Sequence, residues 1–413
     1  MRRALHGLTL ASEGPHAASL EVAAAVLEHF GATDAAGPVD VHLELVEGPR
    51  PADDRGPSPV RHLDLTIHEN LDGTWLFGPQ GHTLVSADGR LLRHVAYQGH
   101  PLPLHVFTCA LVHLLRRWGA YVVHAASVAW EGRGVLLVGP SGAGKSTLTL
   151  ALASVGAELV SDDSVMWRPQ SGEVLALRRG VFLAPADLDP LPLGATWRPC
   201  PLVEAVKQEL VWPRLVRRAR CAPSLVVLPR IADASHTTLH PADPLDAAYA
   251  LAVESRLAEL ARGDVAPHLR ALGALAGGTP AVHALLGRDV LENPTSVAEQ
   301  LQEHLGATEP LGPPPPWQPV PAASPASPTS KRPVFARVAS AGGLVLHPDQ
   351  LDAFALDPMG ARIWELARDG RDRLTTQLAT ELGADRAMVD EEVRRFAEAL
   401  DAQGTPLPGE VAP

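Results

Sequence analysis

The stretch Gly134-Val135-Leu136-Leu137-Val138, followed without a spacer by Gly139-Pro140-Ser141-Gly142-Ala143-Gly144-Lys145-Ser146, decides how this chain is read. Its first half is a short apolar run with the composition of a buried strand, and its second half satisfies GxxxxGK[ST]. Glycines let the backbone turn its N–H groups inward around phosphate oxygens. The helix expected over Thr147 to Val155, apolar at Leu148, Leu152 and Val155 and closed by Gly156, points its positive end at the same place. Lys145 would bridge the β and γ phosphates and Ser146 would ligate Mg2+. Gly139, Pro140, Ser141, Gly142, Ala143, Gly144, Lys145, Ser146 and Thr147 are thus the candidate nucleotide-binding residues, with ATP and Mg2+ the implied cofactors. Only Lys145, Lys207 and Lys331 supply lysine in the whole chain, so a chance match is on the order of one in five hundred.

A second short run, Ala157-Glu158-Leu159-Val160, follows the helix at once and ends in Ser161-Asp162-Asp163-Ser164. Two carboxylates at the carboxyl end of a strand beside a phosphate loop face one cleft, where one can hold Mg2+ and the other accept a hydroxyl proton. Asp162, Asp163 and Lys145 are therefore candidate catalytic residues, and Ser146 with Asp163 the candidate metal ligands; which acid is the base stays open. The plainer alternative is that one of the pair only caps a turn. A transporter-type ATPase would need an LSGGQ-like signature and a distant apolar strand ending in Asp-Glu, and neither is found in the sequence. Val165-Met166-Trp167 and Val174-Leu175-Ala176-Leu177, joined around Gly172, read as a hairpin beside the site.

Composition narrows the partners. In 413 residues, 46% of them hydrophobic, there is material for two or three cores. Lys and Arg number 35 against 47 Asp and Glu, a net charge of −12, which is the wrong sign for a protein that lives on nucleic acid or an anionic membrane. That charge does not exclude a polyanionic ligand, because screening over roughly 8 Å confines it while each charge-assisted bond in the loop contributes about 1.5 to 3 kcal/mol. Cys109, Cys200 and Cys221 are far apart and form no CxxC, so no disulfide framework or cysteine zinc site is expected. No run reads as a signal peptide or a membrane span, and the expected address is cytoplasmic.

Four regions are expected. Residues 1–119 read as a small N-terminal α+β region: a helix at Leu20 to Phe30, a strand at His62 to Ile67, and turns at Asp72-Gly73 and Asp88-Gly89. The Asp88-Gly89 turn joins Thr83–Val85 to Leu91–Val95, and a helix ends near Arg116-Arg117-Trp118-Gly119. Residues 120–305 hold the phosphate loop. Residues 306–332, rich in Pro, Ala and Ser, should form an extended, semi-rigid tether to a module over 333–405.

The segment from His124 to Val165 resembles the catalytic domain of HPr kinase/phosphorylase and its relatives. His124-Ala125-Ala126-Ser127 precedes the strand, the loop has the GxSGxGKS form, and Asp162-Asp163 stand 17 and 18 positions beyond Lys145, close to that family's spacing. The resemblance implies an α/β fold: a mixed-sheet P-loop kinase of the HPr kinase/phosphoenolpyruvate carboxykinase type. It implies phosphate and Mg2+ binding by Lys145 and Ser146, a general base and a metal contact from Asp162 and Asp163, and an active-site histidine at His124. The plainer reading of His124 is a histidine satisfied in a helix-to-strand turn. The match thins after Leu177. The Pro-Gly-Arg-Asn segment with which the HPr enzyme engages its protein substrate is absent, so HPr is not the expected acceptor. Lys207 either reaches phosphate or is a solvated surface lysine, and Arg178, Arg179 and Arg230 either stabilise phosphoryl charge or make surface ion pairs.

In the last region, strands at Pro333–Val338 and Gly343–Leu346 and helices starting near Pro358, Leu374 and Arg386 read as a small winged-helix-like domain. Leu356-x-x-x-Gly360-Ala361-x-Ile363-Trp364-Glu365-Leu366, then Leu378-Ala379 and a long final helix, is similar to the PqqD family of peptide-recognition domains, with Pro358 and the displaced Asp369-Gly370 as departures. The resemblance implies a leader peptide added as a strand to the sheet edge and packed against a helix. It makes Phe335, Arg337, Val338, Val393, Arg394 and Ala397 the candidate peptide-binding residues, against the plainer reading of core packing or a solvated face. A DNA-binding winged helix is disfavoured, since Lys331 to Pro413 carries ten Lys and Arg against fourteen Asp and Glu, a net of −4. Together the resemblances imply an ATP- and Mg2+-dependent kinase of a Ser or Thr hydroxyl on a ribosomally made precursor peptide. Other peptide-maturation enzymes would be further partners, with no nucleic acid or membrane. A nucleotide-sensing module without phosphoryl transfer, and a kinase of a small hydroxylated metabolite, are the alternatives.

Overall fold

Alternation of apolar and polar residues builds the first sheet. In a computed structural model, which describes residues 1–50, 60–62, 64–177, 180–185, 194–200, 207–255, 262–306, 311–320, 333–346, 353–402 and 405–408, the N-terminal region carries nine strands and two helices. They are β1 (Arg2–Leu5), β2 (Leu8–Glu13), α1 (Ala17–His29), β3 (Thr33–Asp34), β4 (Val41–Glu47), β5 (Val60–His62), β6 (Leu65–Asn70), β7 (Gly73–Phe77), β8 (Gly81–Ser86), β9 (Leu91–Ala96) and α2 (Leu104–Arg117). The strand order is β3-β1-β2-β4-β9-β8-β7-β6-β5. Along β4, Val41, Leu43 and Leu45 are buried and meet Leu27 of α1 and Leu111 and Leu114 of α2 in one core. The turn at Asp88-Gly89 joins β8 to β9 as expected, with Val85 opposite Leu92. The single strand expected over His62–Ile67 is corrected: β5 ends at His62, opposite Leu65 of β6, so the stretch holds the turn of a hairpin.

The second sheet is mixed. Its elements are β10 (Tyr121–Val123), β11 (Ala126–Trp130), β12 (Arg133–Leu137), α3 (Lys145–Ser154), β13 (Glu158–Ser161), β14 (Val165–Arg168), β15 (Glu173–Ala176), β16 (Phe182–Leu183), β17 (Thr196–Pro199), β18 (Gln208–Val211), β19 (Arg220–Ile231), β20 (Thr238–Pro241), α4 (Pro244–Glu254), α5 (Arg262–Gly278), β21 (Ala281–Leu286), α6 (Asp289–Glu292) and α7 (Pro294–Glu303). The main path runs β10-β14-β15-β19-β12-β11-β13, with β21 beside β19 and β20 beside β21, while β16, β18 and β17 form a small sheet of their own. The apolar run of β12 is explained by burial on both faces: Val135 and Leu137 meet α3, α6 and α7, whereas Leu136 meets α4 and α5.

The C-terminal module comprises β22 (Val334–Val338), β23 (Gly342–Leu346), β24 (Ala353–Leu356), α8 (Pro358–Ala367), α9 (Arg371–Leu382) and α10 (Arg386–Asp401). Its third strand was not expected, because Ala-Phe-Ala-Leu is short and half alanine, a weak strand former. One face of this sheet, Phe335, Val345 and Leu356, packs on the module's own helices; the other, Ala336, Val338, Leu344 and Leu346, shares a core with α4 and α5 of the body. Residues 311–320 also lie against the body, held by hydrogen bonds from Arg168 to the carbonyls of Pro315 and Pro316 and from Arg220 to that of Gly312. Over these residues the expected extended, semi-rigid tether lies on the body: Trp317 supplies apolar surface that the flanking prolines lack, and it packs against the N-terminal core.

Candidate functional site

Register alone brings the candidate residues together. β11 lies between β12 and β13 and is antiparallel to both, with Ala126 opposite Leu137 and Ser127 opposite Ser161. The ends of β12 and β13 therefore sit at the same edge of the sheet as the start of β11. The loop leaves β12 there, Asp162 and Asp163 follow β13, and His124 stands just before β11.

The loop ends at Gly144, the N-cap of α3, with φ of 95°. That left-handed backbone favours glycine, and a Cβ there would also press on the movable end of Leu286, 2.8 Å away. α3 begins at Lys145, so the first-turn N–H groups of Lys145, Ser146 and Thr147 head the helix next to the loop. The Lys145 ammonium is buried and donates to the carbonyls of Gly139 at 2.6 Å and Pro140 at 3.1 Å. Burial pulls its pKa down; Glu254, Asp163 and Asp162 oppose that shift, and Lys207 adds to it. Lys145 and both acids thus share one electrostatic neighbourhood.

The two aspartates occupy different surroundings. Asp162 is 4% exposed, and burial pushes its carboxyl up to about 7 from 3.8; the Ser146 hydroxyl and the Phe182 N–H donate to it and pull the other way, as does Lys145, while Asp163 pushes it further up. Among the described residues its Oδ1 has no hydrogen-bond partner. Asp163 is more open. Its Oδ1 lies 3.5 Å from His124 Nδ1 and its Oδ2 accepts from the Ser164 hydroxyl at 2.8 Å. A hydroxyl and a buried carboxylate with one unsatisfied oxygen are the hard oxygen donors that Mg2+ takes alongside phosphate. The residues present fit that ion, with Ser146 and the carboxylates of Asp162 and Asp163 as available oxygen donors.

Two contributors escaped the sequence reading. Glu254, the last residue of α4, is the foremost charge acting on Lys145, and the Phe182 N–H holds Asp162 from β16. Neither carries a local signal, since Glu254 ends an alanine-rich helix and Phe182 contributes only backbone. Lys207 acts electrostatically on Lys145 across the fold. Arg178 and Arg179 lie outside the described residues.

In the C-terminal module, four of the six peptide candidates are core. Val338 and Val393 are fully buried, Ala397 is buried, and the Phe335 ring stacks on Trp364 at 6.2 Å. Arg337 and Arg394 reach the surface, where Arg337 pairs with Glu365 and Arg394 with Glu391 and Glu398. The plainer reading, core or ion-paired surface, thus describes these side chains. β22 also runs along α5: a Cβ on Gly273 would come within 2.8 Å of the Arg337 carbonyl. The sheet's other edge is β24.

The fold and loop define a mixed-sheet α/β protein with a phosphate-type loop. It joins a body whose sequence resembles HPr kinase/phosphorylase to a C-terminal module of PqqD type. Residues 342–405 match the family model described as Coenzyme PQQ synthesis protein D (PqqD). No curated protein sequence matches the chain. Among solved structures, the Hpr(Ser) kinase/phosphatase from Coxiella burnetii matches at 14% identity, over 44% of this chain and 95% of that one, with a TM-score of 0.25. Among the described residues no helix is long and apolar enough to cross a membrane.

Proposed function

We propose that this protein is an ATP- and Mg2+-dependent kinase that transfers a phosphoryl group to a Ser or Thr hydroxyl of a ribosomally made precursor peptide, with the leader of that peptide captured by the C-terminal module. One observation carries the reading: the Lys145 loop, the Ser146–Asp162 contact and the His124–Asp163 pair meet at one end of the sheet. The loop backbone and Lys145 hold the triphosphate and offset the charge that builds on it during transfer. Ser146 and Asp162 would hold Mg2+, which when bound neutralises phosphate charge. Asp163, oriented by His124, accepts the proton of the acceptor hydroxyl as its oxygen bonds to the γ-phosphorus and ADP departs. The PqqD match, and an edge of β24 that pairs with no further strand among the described residues, support leader capture by strand addition.

The test is incubation with Mg-ATP and candidate precursor peptides, read by mass spectrometry. One added phosphate on a peptide is expected. Lys145→Ala should cut transfer by about tenfold to hundredfold or more, the worth of one charge-assisted bond to phosphate. A variant that phosphorylates as fast as the parent would remove the mechanism.

A further inference from the structure

The Pro-rich segment is clasped by a built site. Arg168, at the end of β14, is 1% exposed, and its Nη1 lies 3.2 Å from Oε1 of the equally buried Glu173. The other carboxylate oxygen of Glu173 takes Arg220 at 3.0 Å. Arg168 Nη2 then donates to the carbonyls of Pro315 and Pro316, and the guanidinium lies 4.2 Å from the centre of the Trp317 ring. Trp317 in turn donates its Nε1–H to the His6 carbonyl at 3.0 Å, and the Val320 N–H donates to the Arg117 carbonyl at 2.7 Å. The segment is therefore pinned to both the N-terminal sheet and the loop-bearing sheet. A charged side chain is kept buried only where it is paired, and here carbonyls of the strap pair the Nη2 end of the guanidinium that Glu173 leaves open.

The module beyond the strap has a seat of its own. Ala336, Val338, Leu344 and Leu346 share a core with Leu251 and Ala248 of α4 and Leu272 of α5. The small residues Gly273 and Gly277 let α5 approach the backbone of β22, since a Cβ on Gly277 would come within 2.9 Å of Ala339 Cβ. A sheet face that apolar, fused into a neighbour's core, is a fixed contact rather than a sliding one.

We propose that the C-terminal module is a fixture of the body, held by clasp and seat, and that the protein consequently selects precursor peptides by the length of chain between captured leader and acceptor hydroxyl. The second half of this inference rests on the peptide-kinase reading. The scale comes from α4, which touches all three strands of the module's sheet and ends at Glu254, a charge that acts on Lys145. Its 11 residues span roughly 16 Å, so an extended peptide needs about five residues to cover the same distance. A flexible tether would instead accept almost any spacing, with a slow decline as the loop lengthens.

Two measurements on the full chain test this. In a Cys200→Ser background, where the remaining Cys109 and Cys221 are buried, spin labels at Leu291→Cys of the body and Met388→Cys of the module report their separation by pulsed electron resonance. One narrow distance is expected, broadened by Trp317→Ala at the clasp or, separately, by Gly277→Leu at the seat; a broad distribution in the parent would overturn the fixture. In the second measurement, Ser-containing peptides are attached through Gly-Ser spacers of about two to about twenty residues at the exposed position Ala355→Cys of β24, and cis phosphorylation with Mg-ATP is followed. A threshold is expected, with at least a tenfold rise between neighbouring spacer lengths, and Trp317→Ala should blunt it. A smooth length dependence would overturn the spacing rule. A narrow distance with no phosphorylation at any length would refute the kinase reading and the spacing rule with it, leaving the fixture standing.

Discussion

The Ser146 hydroxyl, in the first turn of α3, acts on the buried carboxylate of Asp162, just past β13, and pulls its pKa down against burial. This contact separates two neighbouring acids that look equivalent in sequence. Asp162 is buried, whereas Asp163 is partly exposed and stands 3.5 Å from His124, and both act on Lys145. Their roles should separate in the same way.

Asp162→Asn tests the cost of the buried acid. Its folded pKa, about 7, lies above the ordinary 3.8, so the protonated form is the one the fold favours. The stability it contributes is fully present below pH 4 and is lost as pH rises through 7. Without nucleotide or metal, the variant should melt like the parent near pH 4 and at higher temperature at pH 8, by at most about 4 kcal/mol. Calorimetric melting at the two pH values checks the sign; equal melting at both would show that Asp162 is not protonated in the fold.

Binding of Mg2+ with nucleotide should release a proton near pH 6.5, because a cation beside Asp162 favours its ionised form. Titration calorimetry in two buffers of different ionisation enthalpy reads the proton directly. Asp162→Asn should abolish the release.

Asp163→Asn should leave nucleotide affinity close to the parent's and lower transfer by about a hundredfold to ten-thousandfold, the range for loss of a general base. His124→Gln should fall short of that, since the histidine orients the acid, and should change the shape of the pH–rate profile. Weakened nucleotide binding in Asp163→Asn would place that residue on the metal instead.

Glu254→Gln removes the foremost charge that supports protonation of Lys145 against burial. The alkaline limb of activity should therefore move to lower pH, with no change in the acid limb. An unmoved profile would mean that the remaining acids, Asp162 and Asp163, suffice.

Contiguous residues made much of the fold legible in advance. The loop, its helix and the acidic pair span Gly134 to Asp163, and local backbone preference is enough to shape each piece. Hairpins at Asp88-Gly89 and around Gly172 were readable for the same reason. The strand at Ala353–Leu356 was not, since its place comes from pairing with β23 rather than from its own composition. Phe335, Val338, Val393 and Ala397 illustrate the converse: position on a strand or helix was legible, but the face turned to the core was decided by packing.

The amino-acid order by itself determined that a phosphate loop, an acid pair and a separate C-terminal module exist, because those features are carried by short, contiguous patterns. Only the tertiary structure decided that Ser146 acts on Asp162, that Glu254 acts on Lys145, and that Arg168 clasps Pro315 and Pro316. Those choices depend on burial and charge between residues that are 16 to 148 positions apart, and no local propensity encodes them.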